Sequence, residues 1–241
     1  MGRMLALLYG LACYVVFFAT FLYAIWFVWT MDQLLPQAGA GRALLIDTGL
    51  LLLFALQHSV MARQGFKRVW ARIVPQPIER STYVLSASLA LLLVIVFWQP
   101  IPSVIWEVEA TAGRLILQGL FWAGWLLVFA STFLLGHSDL FGLKQAWTCW
   151  RGLPYKPPAF AMPGPYKLVR HPLYLGFIVA FWSAPRMTVG HLYFAAVTTA
   201  WILVAIQLEE RDLITFHGEP YKLYRSGVSM LVPWPSKKGK F

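Results

Sequence analysis

Ionisable side chains are scarce in this sequence, and several of them stand at the ends of apolar runs, where a charge is costly. His58 falls near the end of one run. His137 and Asp139 follow another. Arg170 and His171 precede a third, and Glu209, Glu210, Arg211 and Asp212 follow a fourth. Histidine exchanges a proton near neutral pH. Arginine offers a fork of N–H donors to carboxylates, and carboxylates accept from ammonium or hydroxyl groups. Together these residues suit proton transfer and the holding of a small charged ligand. Each also has a plainer reading. His58 can bond a neighbouring helix, with Asp47 on the same helical face as a structural residue. His137 and Asp139 can end a helix, His191 can be interfacial, and 209–212 can be a solvated helix end. Three acids at a helix C-terminus would oppose the helix dipole, which favours a use for them. Metal chemistry has no support: HExxH, CxxC and paired-histidine spacings are absent. GxGxxG and P-loop patterns are absent too.

The elements that must carry these residues are membrane helices. Of the 241 residues 59% are hydrophobic and only 12% charged, and mean hydropathy is +0.62. That surplus is too large for a soluble domain of this size. Apolar stretches long enough to cross a bilayer fall at 5–29, 43–61, 82–98, 115–136 and 187–208. A shorter one, 173–184, lies between Pro172 and Pro185. At about 1.5 Å per residue it covers roughly 18 Å, against a hydrocarbon core of about 30 Å. The sequence therefore predicts a partial helix paired with the last span as a hairpin. The expected fold is an all-α integral membrane protein with five to six transmembrane helices, a short C-terminal helical hairpin and a cytoplasmic helical tail. The tail should continue the last helix from Glu209, turn at His217–Gly218 and end in a short helix.

A net charge of +10 would suggest nucleic acid in a soluble protein. Here the charges sort by loop. All of the 20 basic residues except Arg42, Arg114 and Arg186 fall at the N-terminus, after the second and fourth spans, or in the tail. That bias places both termini in the cytoplasm of a bacterium-like cell and leaves no reason to expect nucleic acid. The same orientation brings His58, His137, Asp139, Arg170, His171 and 209–212 to the cytoplasmic side. The N-terminus reads as a retained first helix rather than a cleaved signal. Cys13 lies in an apolar run and Cys149 in a basic loop, so both are expected as free thiols. The composition changes near residue 137. Residues 1–136 form a four-helix membrane part. Residues 137–241 hold a Pro/Gly-rich loop, the hairpin and the tail. Within the loop, Tyr155, Phe160 and Met162 are expected to pack against something.

The order Gly164-Pro165-Tyr166, Arg170-His171-Pro172-Leu173-Tyr174-Leu175-Gly176, Glu209-Glu210-Arg211-Asp212-Leu213, then Gly218, Tyr221, Tyr224, Val228 and Pro233 resembles the isoprenylcysteine carboxyl methyltransferase family over about 164–233. Gln57-His58-Ser59 and the run His137–Gln145 (HSDLFGLKQ) resemble the methanethiol S-methyltransferase branch, whose N-terminal half is similar to the NnrU proteins. These resemblances imply a bacterial membrane enzyme that methylates methanethiol with S-adenosylmethionine, giving dimethyl sulfide and S-adenosylhomocysteine. They place residues 137–241 as the methyltransferase core. They assign the cofactor to Tyr166, Arg170, His171, Tyr174, Gly176, Glu209, Glu210, Tyr221, Tyr224 and Arg225, with Pro233 at the edge. Adjacent helical residues point about 100° apart, so one glutamate rather than both should meet a given group.

A thiol attacks as its thiolate, so a proton must leave. His58, His137 and Asp139 are the candidate acceptors, Asp139 alternatively as the orienting partner of a histidine. Phe141, Trp147 and Phe181 are candidate walls of a small substrate pocket. Besides the thiol, membrane lipids are the expected partners, and the oligomeric state is left open. Three other readings use the same residues: an isoprenylcysteine or other lipid methyltransferase, an NADPH-dependent membrane reductase sharing RHPxY, and a non-catalytic NnrU-like membrane protein.

Overall fold

A computed structural model of the chain describes residues 2–36, 38–157 and 161–233. Phe160 and the tail lysines Lys237, Lys238 and Lys240 lie outside the described residues. The elements are α1 (Arg3–Trp29), α2 (Ala40–Ala62), α3 (Gln64–Trp70), α4 (Gln76–Phe97), β1 (Val104–Glu107), α5 (Thr111–Leu134), α6 (His137–Leu140), α7 (Leu143–Arg151), α8 (Pro172–Trp182), β2 (Arg186–Thr188), α9 (Val189–His217) and α10 (Glu219–Gly227). The protein is an all-α multi-pass membrane protein. Five helices, α1, α2, α4, α5 and α9, are long and apolar enough to cross a bilayer, and α8 is the shorter apolar helix. Large apolar side chains such as Leu5, Leu8, Val15, Leu22 and Trp26 are exposed along α1, as lipid-facing positions should be.

Several elements differ from the sequence reading. The third span starts at Gln76, so Glu79 and Arg80 belong to its first turns. Cys149 lies on the short helix α7, not in a loop; both cysteines are free. Helix α9 runs to His217, so 209–212 stand inside it and the dipole argument does not apply to them. The turn at Gly218 and the helix after it follow as expected. A two-stranded ribbon of β1 and β2 had no sequence signal, since each strand is four residues or fewer.

The chain forms two compact units that interleave. One comprises residues 2–103, 136–157 and 188–191; the other comprises 104–135, 161–187 and 192–233. The composition change at 136/137 therefore does not mark a break in compactness. Residues 136–157 fold with the first three long helices, and α5 folds with the C-terminal third.

In the first unit α1 and α2 pack on α4, and α7 packs on α1 and α4. Gly142, at φ +84°, turns the chain between α6 and α7; a Cβ there would strike Ser81, so glycine is required on both counts. Asp47 is buried, and its Oδ1 accepts the Gln99 N–H at 2.8 Å, the structural role expected of it. His191, near the start of α9, is buried, and its backbone N–H donates to Thr188 Oγ1 at 3.2 Å.

In the second unit α5 and α8 cross at Gly124 and Gly176. A Cβ on Gly176 would lie 2.6 Å from the Gly124 carbonyl oxygen and 2.9 Å from Val128. The two backbones thus touch, which lets the 11-residue α8 lie flat on α5. Trp125, Phe177, Phe181 and Phe194 fill the core beside this crossing. Beyond α8 the chain continues extended and is tied to the entry of α5. Trp106 Nε1 donates to the Ala184 carbonyl at 3.2 Å, and the Val108 N–H to the Pro185 carbonyl at 2.9 Å.

Candidate active site

The second unit builds its polar cluster around one carboxylate. Glu210, on α9, is only 2% exposed. Its Oε1 accepts from Arg170 Nε at 2.7 Å and lies 3.0 Å from His171 Nε2. Its Oε2 forms an ion pair with Arg225 Nε, 2.9 Å away on α10. A buried carboxylate is tolerable only with such partners. Arg170 also donates from Nη1 to the carbonyls of Arg225 and Val228.

The backbone supports the same arrangement. The Arg170 N–H donates to the Ser229 carbonyl at 2.8 Å and the His171 N–H to the Met230 carbonyl at 3.2 Å, beside a parallel bridge between Val169 and Ser229. The segment after α10 is thereby laid against the turn that starts α8. Proline suits the first position of that helix, where its missing N–H costs nothing.

Four tyrosines surround this centre. The Tyr224 hydroxyl donates to the Tyr166 carbonyl at 2.6 Å, and the Tyr221 and Tyr224 rings meet edge to face at 5.8 Å. The Tyr174 ring stands 5.7 Å from the His171 ring. Burial pushes the Tyr224 phenol up to about 12, Arg170 opposing and Glu210 assisting. Burial first, then the Glu209 carboxylate, raises Tyr166; burial first, then Glu210, raises Tyr221. All three are neutral donors at physiological pH. Glu209 thus faces Tyr166 and Tyr221, and among the described residues it makes no ion pair within 4 Å. Gly176 serves the α5 contact described above.

The first unit holds the other three candidates. Gly136, at φ +90°, ends α5 and starts the turn α6 that carries His137 and Asp139. His137 Nε2 is 2.8 Å from the Tyr14 hydroxyl on α1. Burial lowers its pKa, so the ring is neutral near pH 7. Asp139 is not its partner: Oδ2 pairs with Lys144 Nζ at 2.8 Å. Tyr155, from the Pro/Gly-rich loop, sits beside Asp139 and Gln145, and burial, then Asp139, raises its pKa. His58 meets the Tyr83 hydroxyl, 3.2 Å from either ring nitrogen, and stacks on Phe54. This is the interhelical bond between α2 and α4 that the plainer reading anticipated. Arg80 connects the two histidine environments: its guanidinium lies over the Tyr83 ring at 5.1 Å, and its Nε donates to the Leu140 carbonyl at 2.7 Å.

Tyr14, Arg80 and Tyr83 were not singled out from sequence, and Lys144 and Gln145 entered only as the end of the HSDLFGLKQ run. Only Arg80 left a usable signal there, as a charge against the start of an apolar run. Of the candidate walls, Phe141 stacks on Phe17 at 3.9 Å and Trp147 stands beside Trp150 at 4.9 Å in the first unit; Phe181 belongs to the aromatic core of the second. Among the described residues no group of three or more His, Cys, Asp or Glu could hold a metal ion.

Comparison with known proteins gives clear relatives. The chain is 52% identical to the methanethiol S-methyltransferase of Mycobacterium tuberculosis over 98% of this chain and 99% of that one. It is 54% identical to methanethiol S-methyltransferase 1 of Bradyrhizobium diazoefficiens over 96% of this chain and 83% of that one. A more distant likeness, 35% over 69% of this chain and 66% of that one, is to nurim of Pan troglodytes. No family model and no solved structure matches. With half its residues shared across nearly their whole lengths, the chain belongs to the methanethiol S-methyltransferase family.

Proposed function

We propose that the protein is a membrane methyltransferase that converts methanethiol to dimethyl sulfide, with S-adenosylmethionine as methyl donor and S-adenosylhomocysteine as the second product. The observation that carries this reading is the 52% identity, end to end, with a named methanethiol S-methyltransferase. When bound, S-adenosylmethionine supplies an electrophilic methyl group on a cationic sulfur, which a thiolate attacks in line. The second unit fits such a donor. It offers a carboxylate not consumed by protein cations, Glu209, for an ammonium or ribose hydroxyl. It offers the tyrosines Tyr166, Tyr174, Tyr221 and Tyr224 for aromatic and cation–π contact. It offers the half-exposed Arg225 for a carboxylate.

Glu210, Arg170 and His171 then shape the walls of this site through the contacts that Glu210 Oε1 makes with both of the others. Gly176 contributes by letting α8 approach α5. The thiol proton goes to His137, whose ring is neutral and oriented by Tyr14; a histidine of this kind is matched to proton transfer near neutral pH. His58 and Asp139 support it through the Tyr83–Arg80 and Lys144 contacts. We place the protein in the bacterial inner membrane with both termini in the cytoplasm, where the donor is found.

The test is headspace dimethyl sulfide from membranes containing the folded protein, given methanethiol and S-adenosylmethionine. Production above a vector control is expected. Its absence with folded protein overturns the reading, and binding of NADPH in place of S-adenosylhomocysteine would substitute a reductase.

A further inference from the structure

The connector between the second and third long helices has a form that the proposed reaction does not require. Helix α2 ends at Ala62 and α4 begins at Gln76, so the residues between them are bound to a single membrane surface. They are not an open loop. Helix α3 occupies Gln64–Trp70. Helical turns then continue, with the Ala71 N–H on the Lys67 carbonyl at 2.9 Å and the Ile73 and Val74 N–H groups on the Trp70 carbonyl at 2.9 Å each.

At about 100° per residue, Phe66, Val69, Trp70 and Ile73 share one face, Lys67 and Arg72 flank it, and Arg68 stands on the opposite, polar side. Protein leaves part of the apolar face uncovered: Val69 is 58% exposed and Ile73 74%, while Phe66 and Trp70 are half-buried. Phe66 and Trp70 stack on it with ring centroids 5.4 Å apart. Arg68 and Arg72 are exposed. No aspartate or glutamate occurs in the sequence between Asp47 and Glu79.

We propose that residues 64–74 form a binding surface for anionic phospholipid headgroups, with Arg68 and Arg72 on the phosphates and Val69 and Ile73 among the acyl chains. A short amphipathic helix with basic flanks lies in the bilayer interface and selects anionic lipid. Orientation alone would be served by basic residues anywhere in the connector. The uncovered part of the apolar face at the level of the guanidiniums is the feature that only a lipid partner uses.

The experiment reconstitutes the full chain in nanodiscs of equal parts phosphatidylglycerol and phosphatidylcholine, and counts retained lipids by native mass spectrometry after release. Wild type should retain phosphatidylglycerol in preference to phosphatidylcholine. The double variant Arg68→Gln/Arg72→Gln should lose that preference by about tenfold or more. Arg68→Lys/Arg72→Lys should keep it, and so should Lys156→Gln, a basic residue outside the connector. An unchanged melting temperature in the Gln variant ties the loss to headgroup contact. Equal retention of both lipids by wild type, or the same preference in wild type and the Gln variant, overturns the proposal.

Discussion

In the second unit one buried carboxylate, Glu210, is held by Arg170, His171 and Arg225. In the first unit His58 and His137 each rest against a phenol, that of Tyr83 and Tyr14. The first arrangement joins α9, α10 and the start of α8 through charge. The second joins helices through neutral hydrogen bonds. A buried ion cluster is suited to fixing the shape of a site, and a neutral histidine–phenol pair outside the spans, as at His137, is suited to proton transfer. Substitutions in the two regions should therefore fail in different ways.

The largest effect is expected at Glu210. Glu210→Ala leaves two guanidiniums without their carboxylate, at a cost of about 3–5 kcal/mol. The melting temperature in detergent should fall steeply and S-adenosylhomocysteine binding should be lost with it. A variant that melts like wild type would show that Glu210 is not the organising charge. His137→Gln is next: turnover should fall about a hundredfold, within the usual range for a proton-transfer residue, while S-adenosylhomocysteine binding by calorimetry stays the same. Normal turnover would leave the first unit without a role in proton removal.

Glu209→Gln separates the two glutamates. Loss of a charge-assisted hydrogen bond should weaken S-adenosylhomocysteine binding about tenfold to a hundredfold, with no change in melting. If Glu209→Gln binds normally and melts early, the two roles are exchanged. The smallest effect is at Tyr14→Phe, where removal of the orienting bond should lower kcat by about tenfold or less, around the net worth of one hydrogen bond, with KM unchanged.

Acidity tests the same histidine. Burial favours the neutral His137 ring, so its folded pKa lies below the ordinary histidine value. The unfolded chain therefore binds this proton more readily. The stability that His137 contributes is present above the unfolded pKa and is lost as pH falls through and below it. Activity should likewise fall on the acid side, below about pH 6.5, and His137→Gln should lack that limb. An acid limb of the same shape in the variant would assign it to another group.

Much of the fold was legible because its signals are local. Each long apolar run needs only its own residues to satisfy its backbone in lipid. The prolines around 173–184 act on their own chain, and Gly218 marks its own turn. The site was legible in part. His171, Glu210, Tyr221 and Tyr224 come together as their order suggested, and Tyr155 packs against the residues around Asp139. Which of Glu209 and Glu210 is paired by the protein's own cations was not legible, because it depends on where Arg170 and Arg225 arrive from other segments. The Tyr14–His137 bond joins residues 123 apart in sequence, and neither flank announces the other.

The sequence by itself determined the class of the protein: an apolar, multi-pass chain with its basic residues on alternate loops, carrying the residues of a methyltransferase family. The apolar, multi-pass character and the charge bias follow from composition and from patterning within single segments, which act before any tertiary contact forms. The family rests on the resemblance of its motifs. Only the tertiary structure decided which polar groups are already consumed. Buried polar groups must be paired, and pairing at distances near 3 Å joins Arg170, at the start of α8, to Glu210 on α9, and Tyr14 on α1 to His137 on α6, residues 40 and 123 apart in sequence.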